Sequence, residues 1–200
     1  NRALQARNEC NAALLGAPDE AAFLDQVCHT LVSTGGYRLA WVGVPLQDEG
    51  RRIRPVARAG HDDGYVDSLR LTWADAEGGR GPSGRCLRTR RPYTSHNTAQ
   101  DPAMAPWREA ALSRGFASSA AFPLLHQDAA LGALMVYSSA PEAFDDDEVA
   151  LLTALARDVG FGLGTLRLRA AQAAAEKAIQ QANLALEAGS ARLRSLLASM

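Results

Sequence analysis

Between Asp19 and Ser33 apolar side chains return every three or four positions, at Phe23, Leu24, Val27, Cys28 and Leu31. That spacing is one face of a 3.6-residue helix. Asp19 stands where a carboxylate can accept the free N–H groups of a first turn, and Gly35-Gly36 stops the run. An earlier helix is predicted over Arg2 to Leu15, with Leu4, Asn11, Leu14 and Leu15 on one side and Gly16 and Pro18 as breakers. The period then changes. Tyr37 to Val44 (YRLAWVGV) is almost unbroken in apolar character, as a central strand covered on both faces would be. Asp48, Glu49 and Gly50 make a turn, and Ile53, Pro55 and Val56 open a second strand that ends at Gly60. So short a connection pairs the two as an antiparallel hairpin.

His61 to Pro106 has no period and is rich in Gly, Asp, Arg and Pro. A long, mostly loop segment inside a domain is unusual and often functional. A short helix follows over Trp107 to Arg114, with Gly115 as its C′ residue. Strands are predicted over Ala117 to Leu125 and Ala130 to Ser139, with a turn near Gln127-Asp128. In the second, Ala133, Met135 and Tyr137 share one face, and Gly132, Leu134 and Val136 the other. The glycine-bearing face is expected under the end helices, leaving Met135 and Tyr137 for a pocket.

From Phe144 the pattern is helical to the end. Asp145, Asp146, Asp147 and Glu148 crowd the first turn, where negative charge complements the helix dipole. Val149, Leu152, Val159, Leu163 and Leu166 supply apolar contacts, while Ile179, Ala182, Leu186, Gly189, Leu193, Leu196 and Met200 form a heptad seam. The two registers do not join smoothly across Ala170 to Lys177. At about 1.5 Å per residue the helix would span on the order of 80 Å. Its far half is therefore expected to pack on a second copy or on a neighbouring domain. Gly160, Gly162 and Gly164 interrupt it, either as a soft point or as a close packing contact; packing is the expectation.

Composition narrows the functional classes. Apolar residues make up 47 %, enough for a core, and the net charge of −1 gives no field that would draw nucleic acid or anionic lipid. No run of about 18 apolar residues is evident, so no membrane insertion is expected. The chain opens on Asn1 without a methionine, which suggests a piece of something longer. Cys10, Cys28 and Cys86 are scattered and odd in number, which fits a reducing, cytoplasmic setting rather than a disulfide framework. His29, His61, His96 and His126 are equally scattered, and no metal or haem is expected.

Gly78 to Cys86 (GGRGPSGRC) has the glycine spacing of a phosphate loop. The chemistry fails, because Arg85 replaces the lysine, Cys86 replaces Ser or Thr, and no buried strand precedes it. The simpler use is a turn. Gly78, Gly79 and Gly81 are expected to permit positive φ, and Pro82 to open a short helix running to about Thr89. Such a helix would be a lid. Arg80, Arg85, Arg88, Arg90 and Arg91 make either a solvated basic face or, at Arg80 or Arg85, a partner for an acidic ligand group. Cys86 is either a small buried hydrophobe or a thiol activated by the helix start. Trp73, Trp107, Phe116 and Tyr137 wall a pocket or pack a core, and Ser118 or Ser119 would add polar groups.

Several passages in order resemble the GAF family of sensory domains: Gly81 to Pro92 (GPSGRCLRTRRP), Asp101-Pro102, Ser118 to Leu124 (SSAAFPL), Leu131 to Leu134 (LGAL), and Phe144 with the acids and Leu151-Leu152 behind it. The resemblance covers about residues 1 to 168. It implies an α+β fold with an antiparallel five- or six-stranded sheet between helices, the first and last helices on one face and the irregular middle closing a small-molecule pocket on the other. Residues 169 to 200 would then be a coiled-coil linker to a downstream domain, and Arg192 to Met200 is similar to the lead-in of a PAS domain. Candidate ligand-binding residues are Trp73, Arg80, Ser83, Arg85, Cys86, Trp107, Phe116, Ser119, Met135 and Tyr137. The implied role is sensing of an unidentified small molecule, passed through a homodimer of terminal helices to an output domain such as a cyclic-di-GMP enzyme or a histidine kinase, in a bacterial protein. Two alternatives stand beside it: a ligand-free dimerisation spacer, and a redox enzyme like the free-methionine-sulfoxide reductases using Cys86. The Asn-Lys start of the cyclic-nucleotide motif is missing before Phe144, and the surroundings of a bilin-bearing cysteine are not seen.

Overall fold

Alternation along one strand pair sets the architecture. The computed structural model describes residues 2–199, and its sheet has five antiparallel strands in the order β2-β1-β5-β4-β3. They are β1 (Leu39–Pro45), β2 (Ile53–Gly60), β3 (Tyr93–Ser95), β4 (Ser118–His126) and β5 (Ala129–Ser138). Between β2 and β5, β1 is buried from Leu39 to Val44, which is why its sequence lacks a polar face. Leu39 lies opposite Tyr137 and Trp41 opposite Met135, while Ala40 and Val42 lie opposite Val136 and Leu134. One face of the sheet therefore carries Leu39, Trp41, Ala121, Ala133, Met135 and Tyr137 in a single apolar cluster.

The other face is covered by helices. Of α1 (Arg2–Gly16) and α2 (Glu20–Ser33), α2 packs on β1 and β2. Asp19 caps it by accepting from the Ala22 N–H at 2.9 Å, and Phe23, Leu24, Val27, Cys28 and Leu31 are all buried as the spacing predicts. The first helix departs from expectation. Leu4 is 45 % exposed, and the buried row is Ala3, Ala6 and Cys10. Small side chains let this helix come close to its neighbours, so the bulkier Leu4 is left outside. Arg7 Nε donates to Asp158 Oδ2 at 2.8 Å, and Asn11 Nδ2 reaches the same oxygen at 3.2 Å. The Leu15 side chain lies outside the described residues.

The last helix, α6 (Asp146–Ala198), begins with acids whose Asp145 carboxylate accepts from the Glu148 N–H. The Tyr37 hydroxyl donates to the Glu148 carboxylate, and the Tyr37 and Phe144 rings stack at 6.0 Å. A compact unit closes at Gly164, and a second begins at Thr165. The glycine run settles as close packing. A Cβ on Gly160 would lie 2.4 Å from the Leu125 carbonyl oxygen, on Gly162 2.7 Å from Leu14, and on Gly164 2.2 Å from the His126 ring. In the second unit Ile179, Leu186 and Leu193 are 62 %, 69 % and 64 % exposed. The Leu196 side chain and Met200, also expected in that seam, lie outside the described residues.

The lack of an unbroken apolar run does not carry over to averaged hydropathy. Asp146–Ser195 does contain an 18-residue window long and apolar enough to cross a membrane, of mean hydropathy 1.4, half of it buried within the fold. Leucines, valines and alanines raise that mean, while the polar residues and glycines among them prevent a visible apolar block. A mostly buried core helix meets the same test.

The expected loop from His61 to Pro106 is more structured than its composition suggests. It holds α3 (Tyr65–Ser68), a 3-10 turn (Glu77–Gly79), α4 (Pro82–Thr89), the edge strand β3, and a second 3-10 turn (Pro102–Trp107) leading into α5 (Arg108–Ser113). Each element is too short to display a period. Asp101 caps the second 3-10 turn through Ala103 N, and Gly115 ends α5 at φ +74°.

The glycine contacts give a matched prediction. Gly160→Ala drives a methyl into β4 backbone and should cost roughly 1–3 kcal/mol, read as a lower urea midpoint. Gly189→Ala, with nothing within 4 Å of its Cβ position, should instead gain about 1 kcal/mol of helix propensity, read as more helical circular dichroism. Equal effects would contradict the packing account.

Candidate functional site

The segment between β2 and β4 forms a roof over the sheet face that carries Met135 and Tyr137. Its key helix, α4, starts where the sequence places it, with Gly81 as N-cap and Pro82 in the first turn. The glycines ahead of it do a different job from the expected one. None of Gly78, Gly79 and Gly81 has positive φ, and Gly81 sits at φ −73°, ψ 177°. They are needed for space: a Cβ on Gly79 would lie 1.9 Å from the Ala74 carbonyl oxygen, on Gly81 2.2 Å from the Trp107 ring, and on Gly84 2.3 Å from the Gly79 carbonyl oxygen. Arg88 Nη1 donates to the carbonyls of Trp73, Ala74 and Gly79 at 3.2, 2.9 and 2.7 Å. The loop thus turns carbonyls toward a cation, and the Gly79 and Arg80 N–H groups are spent on Ala76 and Glu77. It is no phosphate cradle.

Under the roof lies a narrow chamber of about 20 Å³, lined by Trp41, Tyr65, Leu69, Leu71, Pro82, Ser83, Met104, Trp107, Met135 and Tyr137. The rings of Tyr65, Phe116 and Tyr137 pack mutually at 4.9 to 5.7 Å. Trp41 Nε1 donates to the Tyr137 hydroxyl oxygen at 3.4 Å. Burial pushes Tyr137 up to about 12, against hydrogen bonds from Trp41 and Tyr65 that favour the charged form. Burial also raises Tyr65, so both phenols stay protonated as neutral donors. The two phenols are hydrogen-bonded to each other. Across the sheet, Ser119 lies opposite Tyr137 on one side and Ser95 on the other. The hydroxyls of Ser95, Ser119 and nearby Thr98 are buried without a partner.

The candidates therefore divide. Ser83, Trp107, Met135 and Tyr137 line the chamber, Phe116 and Cys86 are buried in the cluster around it, and Ser119 adjoins Tyr137 in register. Trp73 stands at the margin, its Nε1 donating to the Leu46 carbonyl and its ring under Arg51. Arg80 and Arg85 are outside: Arg80 is exposed 3.6 Å from Asp75, and Arg85 lies over the exposed side of Tyr93. Helical phase explains this, since α4 buries Ser83, Cys86 and Leu87 and so turns Arg85 to solvent. Trp41 and Tyr65 were missed. Alternation would have flagged Trp41 once its pairing with Met135 was known; Tyr65 sits in a single helical turn with no periodic signal.

Cys86 is fully buried, and burial pushes its thiol well above the usual range; no charge or hydrogen bond offsets this. Cys10 rises to about 12 for the same reason, with the Glu9 charge adding to it and a hydrogen bond to Thr30 opposing it. All three thiols are free. Among the described residues no cluster of His, Cys, Asp and Glu could hold a metal ion.

This arrangement, a five-stranded antiparallel sheet with helices behind and a roofed chamber in front, defines a class of small sensory domains. The chain belongs to the GAF domain family, whose model matches residues 17–163. Among solved structures it is similar to the GAF domain of a phosphoenolpyruvate-protein phosphotransferase from Coxiella burnetii, with 19 % identity, 85 % of this chain and 97 % of that one covered, and a TM-score of 0.66. It is also similar to the free methionine-R-sulfoxide reductase of Neisseria meningitidis in complex with its substrate, with 16 % identity, 84 % and 94 % covered, and a TM-score of 0.67. A third is a domain of a protein described as a two-component sensor histidine kinase from Sinorhizobium meliloti, with 21 % identity, 72 % and 90 % covered, and a TM-score of 0.54. No curated protein matches the chain.

Two measurements check the site. Arg88→Ala leaves three carbonyls without their cation; it should cost about 1–3 kcal/mol and speed amide exchange across residues 72–89, while Arg80→Ala leaves both unchanged. A thiol-reactive disulfide reagent should leave Cys86 unlabelled in the native chain and label it fully in urea. Rapid native labelling would reopen thiol chemistry at Cys86.

Proposed function

We propose that this domain senses a small uncharged molecule held between sheet and roof, and that occupancy passes along the terminal helix of a dimer to an output domain. One observation carries the reading: the hydroxyls of Ser95, Thr98 and Ser119 are buried without partners, and Ser119 stands in register with Tyr137 on the chamber's floor. Unpaired buried polar groups are costly, and a bound molecule with its own donors and acceptors relieves that cost. No charged residue lines the chamber, which favours a neutral ligand with an aromatic or branched body over a phosphate or cyclic nucleotide. Ligand sites occupy about 300–1,000 Å³, so the described state is the closed one, and binding lifts α4 and the Pro102–Trp107 turn. Residues 169–200 are the linker, and the exposed heptad row Ile179, Leu186 and Leu193 supports pairing of two copies. A histidine kinase or a cyclic-di-GMP enzyme is the output class, the former echoed by the Sinorhizobium similarity. The domain itself carries out no turnover, a reading supported by the buried, high-pKa Cys86, and three free cysteines accord with a cytoplasmic setting.

The narrowness of the chamber, with Trp107 across it, favours one other reading, a ligand-free dimerisation module. Native mass spectrometry of the chain purified from its own host separates the two. The sensing reading expects a dimer carrying a small-molecule mass that is lost in the Ser119→Ala/Tyr137→Phe variant. A bare dimer assigns the domain to the spacer role, and a bare monomer overturns both.

A further inference from the structure

A second recess lies at the far end of β4, past the irregularity in pairing at Leu124/Leu125, and shares no residue with the chamber. Its volume is about 490 Å³, within the range of about 300–1,000 Å³ that small-molecule sites occupy. Three elements build it. Arg90 and Pro92 come from the end of α4 and the link to β3, Pro123, Leu125, His126 and Gln127 from the end of β4, and Thr153, Arg157 and Phe161 from successive turns of α6. Phe161 is 62 % exposed, and its ring lies 6.0 Å from that of His126. An aromatic wall is thus kept open where the helix could have carried a polar residue.

The charges in the recess are one-sided. Arg90 and Arg157 contribute two guanidinium groups, no carboxylate lines the site, and neither side chain has a hydrogen-bond or ion-pair partner among the described residues. Arg90 is also held in an unusual conformation. It ends α4 at φ +56°, ψ +30°, with its N–H donating to the Cys86 carbonyl. Glycine or asparagine commonly fills that left-handed position, and a bulky residue there is a mild strain of the kind that accumulates at functional sites.

We propose that this recess binds a small organic anion, a carboxylate carried on an aromatic body, separately from the chamber beneath the roof. The guanidinium planes of Arg90 and Arg157 match the carboxylate, since each offers paired N–H donors. Pro92, Pro123, Leu125 and Phe161 take the ring. Because Arg90 closes the roof helix and Arg157 stands on α6, one carboxylate between them clips the roof to the exit helix. The site is then an effector site that holds the roof down, and it stands whether or not the chamber takes a ligand.

The test titrates the isotope-labelled 200-residue chain with 2-naphthoate, using 2-naphthamide as the uncharged isostere. Saturable amide shifts are expected at Arg90, Leu125, His126, Arg157 and Phe161, with the amide binding at least about fivefold more weakly. Arg90→Gln and Arg157→Gln should each weaken naphthoate about fivefold or more without changing the melting temperature; Phe161→Ala should weaken both probes. Equal binding of the two probes, shifts confined to Tyr65, Trp107 and Met135, or affinities indifferent to both arginine variants would each overturn the proposal.

Discussion

The pairing of β1 with β5 is the constraint on which the rest depends. It sets Leu39 against Tyr137 and Trp41 against Met135 on one face, and Ala40 against Val136 on the other. A slip of one residue would exchange the faces, placing a tryptophan and a tyrosine beneath α2 and the small residues beneath the roof. Burial on both sides makes that slip expensive, because both faces are fully covered and neither tolerates the other's volumes. The chamber is a consequence of this register. Its floor is bulky, aromatic and hydroxyl-bearing because that is the parity left over once the small and branched residues have gone to the helices.

The roof obeys a different physics. Its elements are short, so its shape is fixed also by close backbone approach and by one buried-edge cation. Gly79, Gly81 and Gly84 permit contacts that no Cβ could survive, and Arg88 gathers the carbonyls those contacts turn inward. A loop so built is stiff when closed. At its margins Trp73 and Trp107 remain half-buried. Segments of that kind open at lower free energy than the sheet beneath them.

The sequence made the sheet and the large helices legible because each has a long enough period to be read. The face of α2, the alternation of β5 and the start of α4 at Pro82 all follow from spacing and local chemistry. What escaped was tertiary. The buried side of α1 consists of Ala3, Ala6 and Cys10, chosen for thinness rather than hydrophobicity, so leucine counting pointed the wrong way. Strand β3 has three residues, too few for any period. The glycines before α4 looked like conformational hinges and are spacers, a distinction that lies in the distance to Ala74 and Trp107 and so has no local signature. Tyr65 and Trp41 reach the chamber through packing partners distant in sequence, whereas Arg80 and Arg85 looked chemically apt and fall on the outer face of their helix.

The closed chamber has a thermodynamic consequence for any signal it sends. Its aromatic floor already satisfies most of its contacts within itself, through the Tyr65, Phe116 and Tyr137 rings and the Trp41–Tyr137 hydrogen bond. A molecule entering must separate the roof from that floor, and its apparent affinity falls by the fraction of time the open form is populated. On the proposed sensing role, what it gains are the hydroxyls of Ser95, Thr98 and Ser119, which are buried without a partner. On that role selectivity resides in those hydroxyls rather than in the rings, because the apolar contacts are recovered whenever the roof closes on itself and the polar ones are recovered only by a matching guest. A ligand that filled the space without reaching them would meet the cost of opening with little to offset it, so the same asymmetry that keeps the chamber shut also screens what can open it.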